Sequence, residues 1–363
     1  MDKIKDFIRG LSWKQIILTV IVLFCLIIWG GLTFFSTVAK NGLPDQNAAK
    51  RWSEENDTAQ VSCFFTESTE IDKNKIMSFE HELDTLLKEA SITAPNENAR
   101  LWVDAYSASG KITLSSGKTS LQDASAVGIG GDFFLFHPVR LLKGSYFSGN
   151  DLMDDKVIVD EDAAWQLFGS NDVVGMQIII GGIPHYIAGV IEREEGRFQE
   201  AAGLDKTVVY VSFETLEQFG TTEGINTYEV VMPNPVKNFA YKSVKEKFNL
   251  DENRMWVVEN STRFGIEGLL TVIAEFGTRS MNARAIQYPY WENVARGWED
   301  VLAIVLILQI IFLMIPFVII VTVLTIAWKR KQWTWKDVGH FFIKCWEKIS
   351  DKFHSEKNKW KYF

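Results

Sequence analysis

Cysteine is almost missing from this chain of 363 residues, which has only three. Cys25 sits in an apolar run and Cys345 near the C-terminal end, so Cys63 is the lone thiol of a central region of about 265 residues. No disulfide can form within that region, and its stability must come from a core of its own. Histidine is equally sparse. His81, His137, His185, His340 and His354 show no paired metal-ligand spacing, and one thiol adds no cluster. An ATP-binding loop is lacking too, since Gly117-Lys118-Thr119 supplies its end but Ile112 stands where its first glycine belongs. That segment lies between strand-like stretches and reads as a hairpin tip. The acidic groups Asp154-Asp155 and Glu192 with Glu194-Glu195 read as solvated turns, because nothing in sequence positions a partner for acid/base work. We assign no catalytic, cofactor-binding or metal-binding residue, and no enzyme activity.

Basic charge is short in the middle of the chain and concentrated at its ends. Two membrane-length apolar runs, Ile16 to Phe35 and Val301 to Trp328, separate the three parts. Lys3, Lys5, Arg9 and Lys14 precede the first run, and ten Lys or Arg follow the second. Between them 24 basic residues face 40 acidic ones, a net charge of about −16. Such a middle is no nucleic-acid surface, and the basic ends suit anionic lipid headgroups. Because Lys and Arg beside a span are retained inside, both termini are expected in the cytoplasm and the acidic middle outside, in the plasma membrane. A signal peptide ending at Thr37-Val38-Ala39 is the rival reading of the first run, whose length instead favours an uncleaved anchor.

In the middle, Thr58 to Thr66 reads as a strand, residues 73–90 as an amphipathic helix on Ile76, Phe79, Leu83, Leu86 and Leu87, and Arg100 to Tyr106 as a strand. A second β-α-β unit follows far downstream: Tyr228 to Met232, a helix opened by Pro235 and running through Phe248, and Arg254 to Val258. Between them, Lys156 to Val159, Gln177 to Ile180, His185 to Val190 and Thr207 to Val211 read as short strands, with a helix at Glu161 to Phe168. Gly169 is placed as the left-handed cap of that helix, and Gly181-Gly182 as a tight hairpin turn. The expected fold is α+β: a split β-α-β subdomain (58–110 and 225–262) carrying an inserted, mostly β module (140–215), flanked by transmembrane helices at 16–38 and 299–328.

The stretch from Leu141 to Gly196 resembles the extracytoplasmic core domain of MacB-like ABC transporter permeases of the FtsX/MacB superfamily. The matching positions are Gly144 with Tyr146 and Phe147, Asp151, Val157 to Val159, Leu167-Phe168-Gly169, Val174-Gly175 and Gly189-Val190. The order of span, split subdomain, inserted module and span also agrees. The resemblance implies a non-catalytic permease subunit whose outer domain moves with the cycle of a separate cytoplasmic ABC ATPase and works on a peptide, antibiotic or lipid. Such permeases have four spans, and this sequence shows two. A companion permease is therefore expected to supply the others, and an extracytoplasmic adaptor protein is a further candidate partner. The alternative is a membrane-tethered binding or sensory protein that keeps the fold without transporting.

The flanks carry the remaining candidates. Ile4, Phe7, Ile8 and Leu11 form an amphipathic helix within 1–15. In the stalk at 263–298, a helix from Ile266 to Phe276 is followed by Tyr288, Tyr290, Trp291 and Trp298, read either as an aromatic belt at the interface or as a device that passes motion to the outer domain. Within the second span, Gln309 and Pro316 suit a helix packed against other spans, and Pro316 should kink it, although lone irregularities are tolerated. The basic tail 329–363 places Phe341, Phe342, Cys345, Trp346 and Ile349 at helical spacing. It either lies on the membrane surface or docks to the ATPase.

Overall fold

The computed structural model describes residues 12–330 apart from 54–56, 95, 97–98, 205 and 280–285. The chain divides into two compact units, one holding the ends up to Phe34 and from Ile307, the other Phe35–Leu306.

The larger unit is built on a sheet of eleven strands among the described residues. Its first part contains β1 (Thr58–Phe65), helix α2 (Lys73–Glu89), β2 (Val103–Ser115), β10 (Thr227–Pro233), α5 (Phe239–Phe248) and β11 (Met255–Glu259), where α1 is the N-terminal helix Trp13–Asn41. The strands lie in the order β11-β1-β10-β2, every neighbour antiparallel, which is the split β-α-β arrangement. Asp72 starts α2 by accepting the Lys75 N–H, and Ile76, Phe79, Leu83 and Leu87 recur one helical turn apart. They and Ala240, Val244 and Phe248 of α5 bury one face of the sheet against Val61, Cys63, Tyr228 and Val230.

Residues 120–222 extend the same sheet. β3 (Ser120–Gly131) pairs with β2 through a hairpin closed at Ser116 and Thr119. Outward from β3 come β8 (Val208–Ser212), β5 (Lys156–Asp160), β7 (Ile183–Ile191) and β4 (Leu141–Gly144), with β6 (Gln177–Ile180) joined to β7 and the short β9 (Thr221–Thr222) to β2. Helix α3 (Glu161–Phe168) follows β5, and α4 (Phe213–Phe219) follows β8.

The hairpin at Gly117 to Thr119, the β6–β7 turn at Gly181-Gly182 (φ +57° and +84°) and the left-handed cap at Gly169 (φ +69°) stand where sequence places them. Two boundaries differ by three residues or more, and one strand is unexpected. The strand expected from Arg100 begins at Val103 and runs on to Ser115, and the helix expected from Pro235 begins at Phe239, after Asn238 in the left-handed region. The unexpected strand is β3, because Ala, Ser and Gly conceal its strand character. A Cβ at Gly130 would stand 2.0 Å from the Tyr106 ring, and one at Gly128 would stand 2.8 Å from Leu216 of α4, so the strand must be small there.

The other unit contains most of two long apolar helices, α1 and α7 (Tyr290–Arg330; α6 is Ile266–Glu275), with mean hydropathy of 2.7 and 3.2 in their most apolar stretches. Phe24, Ile27, Phe317 and Leu324 are all exposed, as side chains that face lipid are and core residues are not.

Gly169 has open space where a Cβ would go, so a substitution there tests backbone strain alone. Gly169→Ala should lower stability by about 1–2 kcal/mol and Gly169→Asn by less, since Asn tolerates this region best after Gly. Thermal unfolding of the detergent-solubilised chain measures both, and equal losses would show that the cap is not what the glycine supplies.

Candidate functional site

β1 and β10 are buried on both faces, so their period of two sends every second residue to the face opposite α2 and α5. On β1 those residues include Gln60 and Ser62; on β10 they include Glu229, the cross-strand partner of Ser62. Polar groups in such a place must find partners. They do so in a continuous chain. The Ser62 hydroxyl donates to Glu229 at 2.5 Å, and Asn260 Nδ2, just after β11, donates to Ser62 Oγ at 2.7 Å. Arg263 Nη1 donates to Asn260 Oδ1 at 3.0 Å. In the other direction, the second Glu229 oxygen meets His137 Nε2, whose Nδ1 lies 2.9 Å from Asp45 Oδ1. Gln60 fixes the start of that chain by donating to the Asp45 carbonyl at 2.7 Å and accepting the Ala48 N–H at 2.8 Å.

Arg263 is the other hub. Its guanidinium binds both oxygens of Glu292, at 2.7 and 2.8 Å, and Glu299 Oε1 at 2.6 Å. Glu292 and Glu299 are seven residues apart, two turns of α7, and so share one face of it. Arg279 continues the cluster to Glu299 and, at 2.7 Å, to Asp300. Ser62, His137, Glu229, Asn260, Arg263, Glu292 and Glu299 are each less than a tenth exposed. The result is a buried polar relay from the loop after α1, across the sheet, to the first turns of α7.

His137 marks how strongly the relay is charged. Burial alone would pull its pKa down, but the Glu229 and Asp45 carboxylates, one on each ring nitrogen, overcome this and raise it from 6.5 to about 9. The protonated ring donates to both. Apart from this relay, burial pushes Asp104 up to about 7, helped by the neighbouring Glu80 carboxylate. Among the acidic turns, Asp154 and Glu195 are exposed as expected, whereas Glu194 is half-buried and pushed up to about 7 by that burial, with Asp45 adding repulsion.

The aromatic residues singled out between domain and span take part in the same packing. Trp291 is buried, 4.1 Å from the His137 ring centre and 5.6 Å from Phe133, so it is a core residue and not part of an aromatic belt. The Tyr290 hydroxyl lies 3.0 Å from that of Tyr210. Tyr288 packs edge-on to Phe64 at 5.3 Å and under Arg296, while Trp298 meets Phe198 and Phe35. Sequence shows that these residues are aromatic but not what they touch, since, Arg296 apart, their partners lie 80 to 263 residues away.

In the other unit, Gln309 Nε2 donates to Thr33 Oγ1 of α1 at 3.3 Å, and α7 runs on through Pro316, which is buried. Ile4, Phe7, Ile8 and Leu11, and Phe341, Phe342, Cys345, Trp346 and Ile349 of the tail, lie outside the described residues.

The structure thus defines a membrane protein whose α+β domain is tied by buried ion pairs to a helix that runs on into an apolar span. The chain belongs to the MacB-like periplasmic core domain family, whose sequence pattern matches residues 46–246, more than half of its length. The macrolide export ATP-binding/permease protein MacB of Chromobacterium violaceum is 32% identical over 78 residues, which cover 21% of this chain and 12% of that protein. MacB 2 of Aeromonas hydrophila is 36% identical over 81 residues, 22% of this chain and again 12% of the relative. The chain therefore matches only about an eighth of the length of these relatives. The periplasmic region of MacB from Actinobacillus actinomycetemcomitans aligns with a TM-score of 0.41 at 18% identity, over 62% of this chain and 95% of that one.

Two outcomes follow from the charges. Arg263→Met strands Glu292 in the interior and should cost about 3–5 kcal/mol, much of which the double variant Arg263→Met/Glu292→Leu should restore. Denaturant unfolding in detergent measures both, and a double variant no more stable than the single would deny that an uncompensated charge is the cause. For His137, a pKa raised on folding means that its stabilisation is full below about 6.5 and is lost as pH rises through about 9. By linkage that amounts to about 3 kcal/mol. His137→Gln should flatten this part of the melting-temperature profile, and an unchanged slope would show that His137 is not its source.

Proposed function

We propose that this chain is a permease-type subunit of an ABC transport complex. A separate cytoplasmic ATPase hydrolyses ATP, and the motion reaches the sheet domain through α7 for export of, or extracytoplasmic work on, a peptide, antibiotic or lipid. The observation that carries this reading is the continuity of α7: one helix of 41 residues, about 60 Å long, holds Glu292 and Glu299 against Arg263 in its first turns and then becomes a span. A displacement of that helix cannot leave Arg263 behind, because separating buried opposite charges is costly. The relay then offers a path from Arg263 to Asp45.

The basic ends support cytoplasmic termini and an outer sheet domain. A companion permease contributes further spans, with Gln309 and Pro316 on the packing faces, and an adaptor protein is a candidate partner outside. The tail residues Phe341, Phe342, Cys345, Trp346 and Ile349 dock to the ATPase or lie on the membrane, which crosslinking from Trp346 decides.

Purification in mild detergent should yield the chain with an ATPase and a second permease in stoichiometric amounts. In that complex, Arg263→Met/Glu292→Leu should keep ATP turnover and lose substrate movement several-fold, since the chemical step lies elsewhere while the mechanical link is cut. A chain that purifies alone would hand the case to a tethered binding or sensory protein.

A further inference from the structure

Beside the relay, within the larger unit, opens a polar cleft of about 390 Å³. It is bounded by the end of α1 and the turn after it, the start of β1, the end of β10 and the turn after β11. A volume of this size falls in the range of small-ligand sites and far exceeds that of one water.

Two of its polar atoms are not satisfied by the protein. Glu259 is 9% exposed; Oε1 accepts from Thr262 at 3.3 Å, while Oε2 is buried without a hydrogen-bond partner. The Thr58 hydroxyl, also on the cleft wall, is buried and unpartnered too. Orphaned polar atoms of this kind are rare in folded proteins; the Glu259 oxygen calls for a ligand that donates hydrogen bonds, and the Thr58 hydroxyl can accept from the same group. Cationic groups stand on the same wall: Lys40 and Lys50, neither ion-paired among the described residues. The cleft therefore holds a carboxylate and two ammonium groups on its walls, and a matching ligand carries both a primary ammonium and an anion.

The position of Lys40 says where such a group comes from. It stands in the last turn of α1, two residues beyond the span expected at 16–38, where a spanning helix meets phospholipid headgroups. We propose that the cleft binds the phosphoethanolamine moiety of a phospholipid, its ammonium donating to Glu259 Oε2 and Thr58 and its phosphate meeting Lys40 and Lys50. A choline headgroup has no N–H to donate and leaves the Glu259 oxygen orphaned, so it is discriminated against. Asn260 lines the same cleft and belongs to the relay, so the bound headgroup touches the chain of hydrogen bonds that ends on α7.

The full chain is reconstituted into nanodiscs of mixed phosphatidylethanolamine, phosphatidylcholine and phosphatidylglycerol, released into detergent, and its retained lipids are measured by native mass spectrometry. Phosphatidylethanolamine should be retained over phosphatidylcholine by about tenfold, the worth of one charge-assisted hydrogen bond. Glu259→Gln should abolish that preference while circular dichroism stays unchanged, and Lys40→Gln should weaken retention of phosphatidylethanolamine and phosphatidylglycerol together. Thr58→Val serves as a second variant if Glu259→Gln fails to fold. Calorimetry with free phosphoethanolamine separates the sources: binding without acyl chains assigns the site to a soluble compound of the same chemistry, and binding of the lipid alone assigns it to the membrane. Equal retention of the ethanolamine and choline lipids, or a Glu259→Gln chain that keeps the preference, would overturn the proposal. Neither result bears on whether an ATPase drives the chain, which the stoichiometry of purification decides.

Discussion

Arg263 is the constraint around which this molecule is arranged. A guanidinium buried to this degree is stable only where carboxylates saturate its donors, and Glu292 and Glu299 occupy three of them. Both carboxylates sit on α7, so the turn after β11 and the start of that helix can be brought together in one register only. A slide of one helical turn would carry each carboxylate about 5.4 Å along the axis and leave charges facing apolar side chains. A hydrophobic contact in the same place could shift by small steps; this one has discrete settings.

The second constraint is the two-sided burial of β1 and β10. A strand covered on both faces usually reads as unbroken apolar sequence, yet Gln60 and Ser62 interrupt β1 and Glu229 interrupts β10, Ser62 and Glu229 lying opposite one another. Their expense is offset only by the full set of partners supplied by Asn260, His137 and, beyond it, Asp45. Trp291, itself buried, packs against the arrangement with its ring tilted by 35° to that of His137. The aromatic residues at the base of α7 thus support the polar ones, and the helix is anchored by both.

Much of the fold is legible in sequence because periodicity is local. Ile76, Phe79, Leu83 and Leu87 announce a helix whatever lies elsewhere, and Gly181-Gly182 announces a hairpin turn. β3 escapes because its small residues answer to Tyr106 and Leu216, which lie 24 and 88 residues from the glycines they meet. The relay escapes for the same reason: Ser62 meets Glu229 across 167 residues and Asn260 across 198. A signal was present nonetheless. A glutamate inside the strand Tyr228 to Met232, and a tryptophan followed by Glu292 and Glu299 one helical face along, are local contradictions that only distant partners resolve.

Those contradictions also explain why one helix can belong to two environments. Up to Leu306, α7 presents Trp291, Val294, Ala295, Leu302 and Ala303 to protein and its two glutamates to Arg263. From Ile310 onward most of its large side chains are exposed and apolar. A wholly apolar helix would slide easily between lipid and protein, since neither side distinguishes one leucine from the next. Two buried carboxylates at one end fix which residues belong to the domain. The ion pairs therefore set where the protein-facing part of the helix stops and the lipid-facing part begins, a boundary that hydropathy alone leaves undefined.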